Sequence, residues 1–225
     1  MNRFFDELEQ LKQKLLEMSS LVEANIERSV RAVVHKDWEA ATEVIENEHR
    51  INSIELEIDS VAINLLALHQ PMASNLRFII AVLKINTNLE RMGDISVNIA
   101  HSARSLMDAP PIRPIIDIPL MAGLVQSMVR KSLDAFVARD TTLARSVLIS
   151  DNAVDSLRTA CYHQLVSFME QDPRNVPQAL NFLTVTRSLE RLADHSTNIA
   201  EDVLFYVKGV DVRHNSEPDN SAGPG

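Results

Sequence analysis

One helical signature occurs twice in this chain. Residues 89–100 read Leu-Glu-Arg-Met-Gly-Asp-Ile-Ser-Val-Asn-Ile-Ala, and residues 189–200 read Leu-Glu-Arg-Leu-Ala-Asp-His-Ser-Thr-Asn-Ile-Ala. In each copy Glu, Asp and Asn recur every fourth residue, as Glu90, Asp94, Asn98 and as Glu190, Asp194, Asn198. A four-residue step along an α-helix advances about 6 Å and turns about 400°, so the three side chains form one slowly drifting stripe of oxygen atoms. The halves align outside the signature too. Ser29 matches Ser132, Asp37 matches Asp140, Glu48 matches Asp151, Ile51 matches Val154 and Asn52 matches Asp155, all at an offset of 103. By Glu90 and Glu190 the offset is 100, so three residues are missing from the second copy between helices, where deletions cost least. The chain is therefore a tandem repeat of one three-helix unit.

Composition agrees with an all-α fold. Aromatic residues make up only 4% and glycine numbers 5 in 225, which suits packed helices better than sheets. Apolar positions at Phe4, Leu8, Leu11, Leu15, Met18 and Val22 alternate three and four apart and predict a first helix that buries one stripe. Asp37 and Asp140 are predicted N-caps for the second and fifth helices. The remaining pattern predicts helices over 38–68, 74–106, 120–138, up to about 170, and 176–208. Pro71 breaks the chain between the second and third, and Gly209 ends the sixth. Met18, Met121 and Met128 read as core filler. Residues 1–108 and 120–209 then form the two repeats, joined by a stiff linker over 109–119 with prolines at 110, 111, 114 and 119. Residues 210–225 are expected to form a mostly disordered tail.

The net charge of −9 argues against nucleic acid as a partner, because phosphate contacts supply most of that affinity. Cys161 is the only cysteine, so no intrachain disulfide forms, which fits a reducing cytosol. The first ten residues lack an apolar signal core, and the strongest apolar run, 78–83, is far short of the roughly 20 residues that cross a bilayer. A soluble, cytoplasmic protein is expected.

The stripes admit two readings. Glu90 and Asp94 are like charges one turn apart, and something must offset their repulsion. Arg91 can pair with Asp94, and Arg191 with Asp194, which makes the stripe a solvated, ion-paired face. Alternatively the oxygens hold hard or borderline divalent cations. Acids on the preceding helices favour the second reading, since Glu48 with Asn52 and Glu55, and Asp151 with Asp155, keep nearly the same spacing. A di-iron oxidase would require Glu-x-x-His pairs, and only Glu46 to His49 fits. His195 lies five residues beyond Glu190 and is expected at the surface or behind the ligands; His101 and His163 have no metal-spaced partner. No phosphate-binding glycine loop, nucleophile elbow or Cys pair is present, so no catalytic residue is assigned.

Three blocks resemble the PhoU-like proteins, accessory regulators of bacterial phosphate transport. They are Gln70-Pro71-Met72-Ala73-Ser74-Asn75-Leu76-Arg77, the two Glu-Arg-x-x-Asp-x-x-x-Asn-Ile-Ala signatures, and Lys208-Gly209-Val210-Asp211-Val212-Arg213-His214. The resemblance spans roughly residues 2–214. It implies an all-helical bundle of two three-helix repeats related by pseudo-twofold symmetry. It implies divalent metal, iron, zinc, manganese or magnesium, at Glu90 and Asp94 and at Glu190 and Asp194. It also implies a non-catalytic negative regulator of phosphate uptake and of the phosphate-starvation response. Such a protein acts between the ATPase component of the phosphate ABC transporter and a membrane sensor histidine kinase, peripheral to the inner membrane and as a possible homodimer. The alternative function is a metal-independent helical scaffold. Asn75 stands where many relatives carry Asp, and the second half has no Gln-Pro-Met-Ala block, so the two corresponding loops are not expected to act symmetrically.

Overall fold

A computed structural model of the chain describes residues 3–110 and 117–209. Six long helices account for nearly all of them: α1 (Arg3–His35), α2 (Trp38–His69), α3 (Ala73–Ser105), α4 (Ile118–Ala138), α5 (Thr141–Gln171) and α6 (Val176–Lys208), with a single 3₁₀ turn at Pro173–Asn175. No strand occurs among the described residues. The middle of the expected Pro-rich linker and the expected tail over 210–225 lie outside them.

The helix ends follow local chemistry. Asp37 accepts from the Ala40 amide, and Asp140 accepts from the amides of Thr142 and Leu143. Each satisfies donors that the first turn would otherwise leave unpaired. The residue before each cap, Lys36 (φ 54°) or Arg139 (φ 55°), is left-handed, so the same turn is built twice. Lys36 then donates to the carbonyls of Met107 and Ala109, tying this turn to the end of α3. Pro71 leaves Gln70 to close α2 in the left-handed region (φ 46°). Gly209, at φ 70°, closes α6 with its amide on the Phe205 carbonyl. α4 begins at Ile118, two residues before the expected start. Asp117 accepts from the Leu120 amide, and Pro119 falls in the first turn, where a missing N–H costs nothing.

Each repeat packs its first two helices against its third, α1 and α2 on α3, and α4 and α5 on α6. The repeats then join mainly along α3 and α6, with a smaller contact between α1 and α4. The cross-pairs Lys84–Asp202 and Asn88–His195 show α3 and α6 to be antiparallel. That register places Met92 and Gly93 near Leu192 and Ala193, at the centre of the pseudo-twofold relation. The inward seam of α6 is buried at Leu189, Leu192, Ser196, Ile199 and Val203. Buried serines follow the repeat: Ser29 and Ser132 each donate three residues back, Ser96 and Ser196 four back. A hydroxyl satisfied on its own helix can be buried without a partner elsewhere.

α3 approaches α2 most closely at Gly93. A Cβ there would lie 3.1 Å from Ile51 Cδ1 and 3.3 Å from its Cγ2. In the second repeat the same two positions hold Ala193 and Val154, one carbon more and one carbon less. The repeats thus keep their volume while dividing it differently.

Candidate carboxylate rows

The residues of α2 and α5 that face the signatures form two rows of acids. In the second repeat Asp151 and Asp155 of α5 come together with Glu190 and Asp194 of α6. Burial raises the Asp151 carboxyl to about 6, with the charges of Asp155, Asp194 and Glu190 adding to the shift. Burial and then Asp194 raise Glu190, and burial and then Asp155 raise Asp194. In the first repeat burial raises Glu90, with Asp94 and then Glu55 adding. Burial and Asp59 raise Glu55. Carboxylates outside the rows behave in the opposite way. Glu7, Asp37 and Asp172 are lowered, chiefly by hydrogen bonds from Arg3, the Ala40 amide and Arg174 respectively. Glu55, Glu90, Asp151, Glu190 and Asp194 are therefore set apart first by burial and then by like charge beside them.

The expected internal ion pairs do not form. Among the described residues no ion pair joins Arg91 to Asp94 or Arg191 to Asp194. The cation that comes nearest is Arg158, whose Nε stands 3.7 Å from Glu190 Oε1, while Arg191 acts on Asp194 by its charge without closing a contact. Arg158 occupies the place that Glu55 holds in the first repeat. The two rows consequently differ: α2 offers Asn52 and Glu55 where α5 offers Asp155 and the guanidinium of Arg158.

The other expected site residues divide as follows. Glu48 and Asn52 are half-buried on α2, but the charges felt by Glu90 come from Asp94, Glu55 and Arg91, not from Glu48. Glu55 and Asp59 thus extend the row along α2 beyond Glu48 and Asn52. Asn86, fully buried, donates to the Glu55 carbonyl and to Asp59 Oδ1, while its own Oδ1 has no partner. Both additions were visible as spacing: Asp59 follows Glu55 by four, and Asn86 precedes Glu90 by four. Asn98 and Asn198 are exposed. Asn98 borders a groove between α3 and α6, because a four-residue row drifts about 40° with each step. His195 is not at the surface. It is 8% exposed, and its Nδ1 donates to Asn88 Oδ1 at 2.9 Å across the junction of the repeats. Asn88 in turn donates to the Lys84 carbonyl, which fixes its amide orientation.

The donor set suits a hard divalent cation, with several carboxylates held against their own repulsion and a buried amide oxygen unsatisfied beside them. Among the described residues, however, no three carboxylate, imidazole or thiol side chains are gathered into a ready cage.

Fold and rows together define a duplicated three-helix bundle whose inner helices each carry a crowded acid face. This chain belongs to the PhoU family, whose domain matches twice, over residues 15–103 and 118–203. A relative from Pseudomonas aeruginosa, the phosphate-specific transport system accessory protein PhoU homolog, is 39% identical over 213 residues, covering 94% of this chain and 88% of its own. The crystal structure of PhoU from Pseudomonas aeruginosa superposes with a TM-score of 0.89 at 38% identity, covering 92% of this chain and all of that one. The phosphate transport system regulatory protein PhoU from Streptococcus pneumoniae gives 0.86 at 30% identity, over 93% and 99% of the two chains. These relatives are accessory and regulatory proteins of transport, not members of an enzyme family.

Proposed function

We propose that this chain regulates phosphate uptake as an accessory of a phosphate-specific transport system. The observation that carries the reading is similarity to accessory proteins over nearly the whole length, both repeats included. In the finer form of the proposal, the chain works on the cytoplasmic side of the membrane. It represses the phosphate-starvation response when phosphate is plentiful, by docking between the ATPase component of the transporter and a membrane sensor kinase. Among the described residues no helix is long and apolar enough to cross a membrane, which is compatible with attachment through partners.

The test is alkaline phosphatase activity at high phosphate, in a bacterial host that lacks its own relative, with and without this chain. Restored repression is expected. Undiminished activity with folded, expressed protein would overturn the regulatory reading.

Divalent cations on the carboxylate rows form the second part of the proposal. Glu90, Asp94, Glu55 and Asp59 would hold them in the first repeat, and Asp151, Asp155, Glu190 and Asp194 in the second. When bound, a cation would neutralise the rows and fix the surface offered to a partner. Elemental analysis of untagged protein should find metal that falls in Asp94→Ala/Asp194→Ala; unchanged content would remove the assignment. The competing reading, a metal-independent scaffold, draws on Arg158 inside the second row and on the lack of a gathered cage. EDTA separates them. It lowers the melting temperature only if metal stabilises the folded chain.

A further inference from the structure

The groove between α3 and α6 bordered by Asn98 differs in charge from the repeat-related positions across the pseudo-twofold. It encloses about 490 Å³, within the range of small-molecule pockets. Its walls include Asn98, His101 and Ser102 of α3, and Thr184, Arg187 and Arg191 of α6. The repeat supplies an internal control. At an offset of 100, Lys84 stands for Thr184, Thr87 for Arg187, Arg91 for Arg191, Glu201 for His101 and Asp202 for Ser102. Two cations and two acids occupy the control positions, and there Lys84 donates to Asp202 Oδ1 at 2.9 Å. In the groove itself both acids are gone, replaced by an imidazole and a hydroxyl, and a second guanidinium has been added. A local charge of +2, with His101 taken as neutral, has thus been built into a chain of net charge −9.

Among the described residues neither Arg187 nor Arg191 closes an ion pair, although both border the cavity that holds Glu190 and Asp194, where the charge of Arg187 favours ionised Glu190 and that of Arg191 favours ionised Asp194. Both are exposed, so their planar donors can turn to the groove. Guanidinium groups stay charged at any physiological pH and match tetrahedral oxyanions two bonds at a time. The hydroxyls of Ser102 and Thr184 now donate to the carbonyls of Asn98 and Leu180, and hydroxyl rotors can be redirected to a ligand.

We infer that this groove binds a phosphate group, clamped by Arg187 and Arg191 from α6 and met from α3 by His101 and Ser102. Free inorganic phosphate and a small phosphate ester present the same chemistry. The inference stands on the groove's own charges and needs no metal on the carboxylate rows.

Calorimetric titration of the full chain in EDTA, with inorganic phosphate and separately with glycerol 3-phosphate, tests it. Saturable binding of at least one is expected. R187Q/R191Q should weaken it by roughly tenfold or more, the loss expected for hydrogen bonds to a charged group. R91Q, at the repeat-related position, should leave it unchanged. Both arginines are exposed and close no ion pair, so the double variant should stay folded, and a cooperative melt checks that the loss is one of binding. Binding of inorganic phosphate would identify the free ion as a ligand, and binding of the ester alone would assign the site to esters. No saturable binding of either, or a titration unaltered in R187Q/R191Q, would overturn the inference.

Discussion

The Gly93–Ile51 contact makes a prediction that can be worked through. Replacing Gly93 by Ala removes the helix penalty of glycine and should gain about 1 kcal/mol. Against that, the new methyl would sit 3.1 Å from Ile51 Cδ1 and 3.3 Å from Cγ2. Carbon pairs rest at about 3.5–4.0 Å, and Ile51, 1% exposed, has nowhere to retreat. Overpacking of this kind costs about 1–3 kcal/mol, so Gly93→Ala should be destabilising by about 1 kcal/mol net. Ile51→Val alone loses one methyl and leaves a small void, at about 1 kcal/mol. Independent effects would give about 2 kcal/mol in the double variant. The structure predicts otherwise. Valine lacks the Cδ1 that makes the closest contact, and the pair then becomes the Ala–Val combination of the second repeat. The double variant should lie within about 0.5 kcal/mol of wild type, a favourable coupling of about 1.5–2.5 kcal/mol. Denaturant midpoints of the four proteins, measured in EDTA, supply the cycle. Additivity to within about 0.3–0.5 kcal/mol would refute the packing argument. So would a single Gly93→Ala that is simply more stable.

Three further outcomes follow from the burial of charge. Asp151, at about 6 when folded against 3.8 in the free side chain, weakens the fold once ionised. Asp151→Asn in EDTA at pH 7.5 should therefore gain about 1–2 kcal/mol after discounting for solvent at this half-open site, and the gain should vanish below about pH 4; a loss in the pH 7.5 melt would contradict the crowding. His195 runs the other way, since burial lowers it from 6.5 to about 4. The unfolded chain takes up that proton first, so the wild type should lose about 2 kcal/mol between pH 6.5 and 4 while His195→Gln should not, as paired melts against pH would show. Leu192→Asp should cost several kcal/mol by placing an unpaired charge in the buried seam; a normal melt would mean the seam is misplaced.

Much of this architecture was legible in the residues, because the devices that set helix ends are local. Asp37, Pro71, Asp140 and Gly209 act on amides within a few positions of themselves, and spacing alone exposes them. The repeat was equally legible, since Ser29 and Ser132 are buried for the same reason in both copies. What spacing could not supply was the register between helices. Glu48 and Glu55 both lie on α2 near the acid face, and only the packing of α2 on α3 decides that Glu55 is the one that acts on Glu90. His195 carries no local sign of burial, because its partner Asn88 lies 107 residues away. The charge imbalance of the α3–α6 groove was hidden for the same reason. Arg187 and His101 become neighbours only once the two inner helices cross antiparallel.

That crossing also bears on how the chain folds. Within a repeat, α1, α2 and α3 meet partners one or two helices away, as do α4, α5 and α6, so each unit closes short loops as it forms. The α3–α6 junction closes a separation of about a hundred residues and becomes favourable only when both helices already stand in place. On separation alone, each unit is expected to assemble before the two dock. Their inner faces, bearing Leu89, Met92, Leu189 and Leu192, are the apolar surfaces that await one another until then. The same faces would let unit one of one molecule clasp unit two of another, so the junction is where an exchanged dimer of this chain would form.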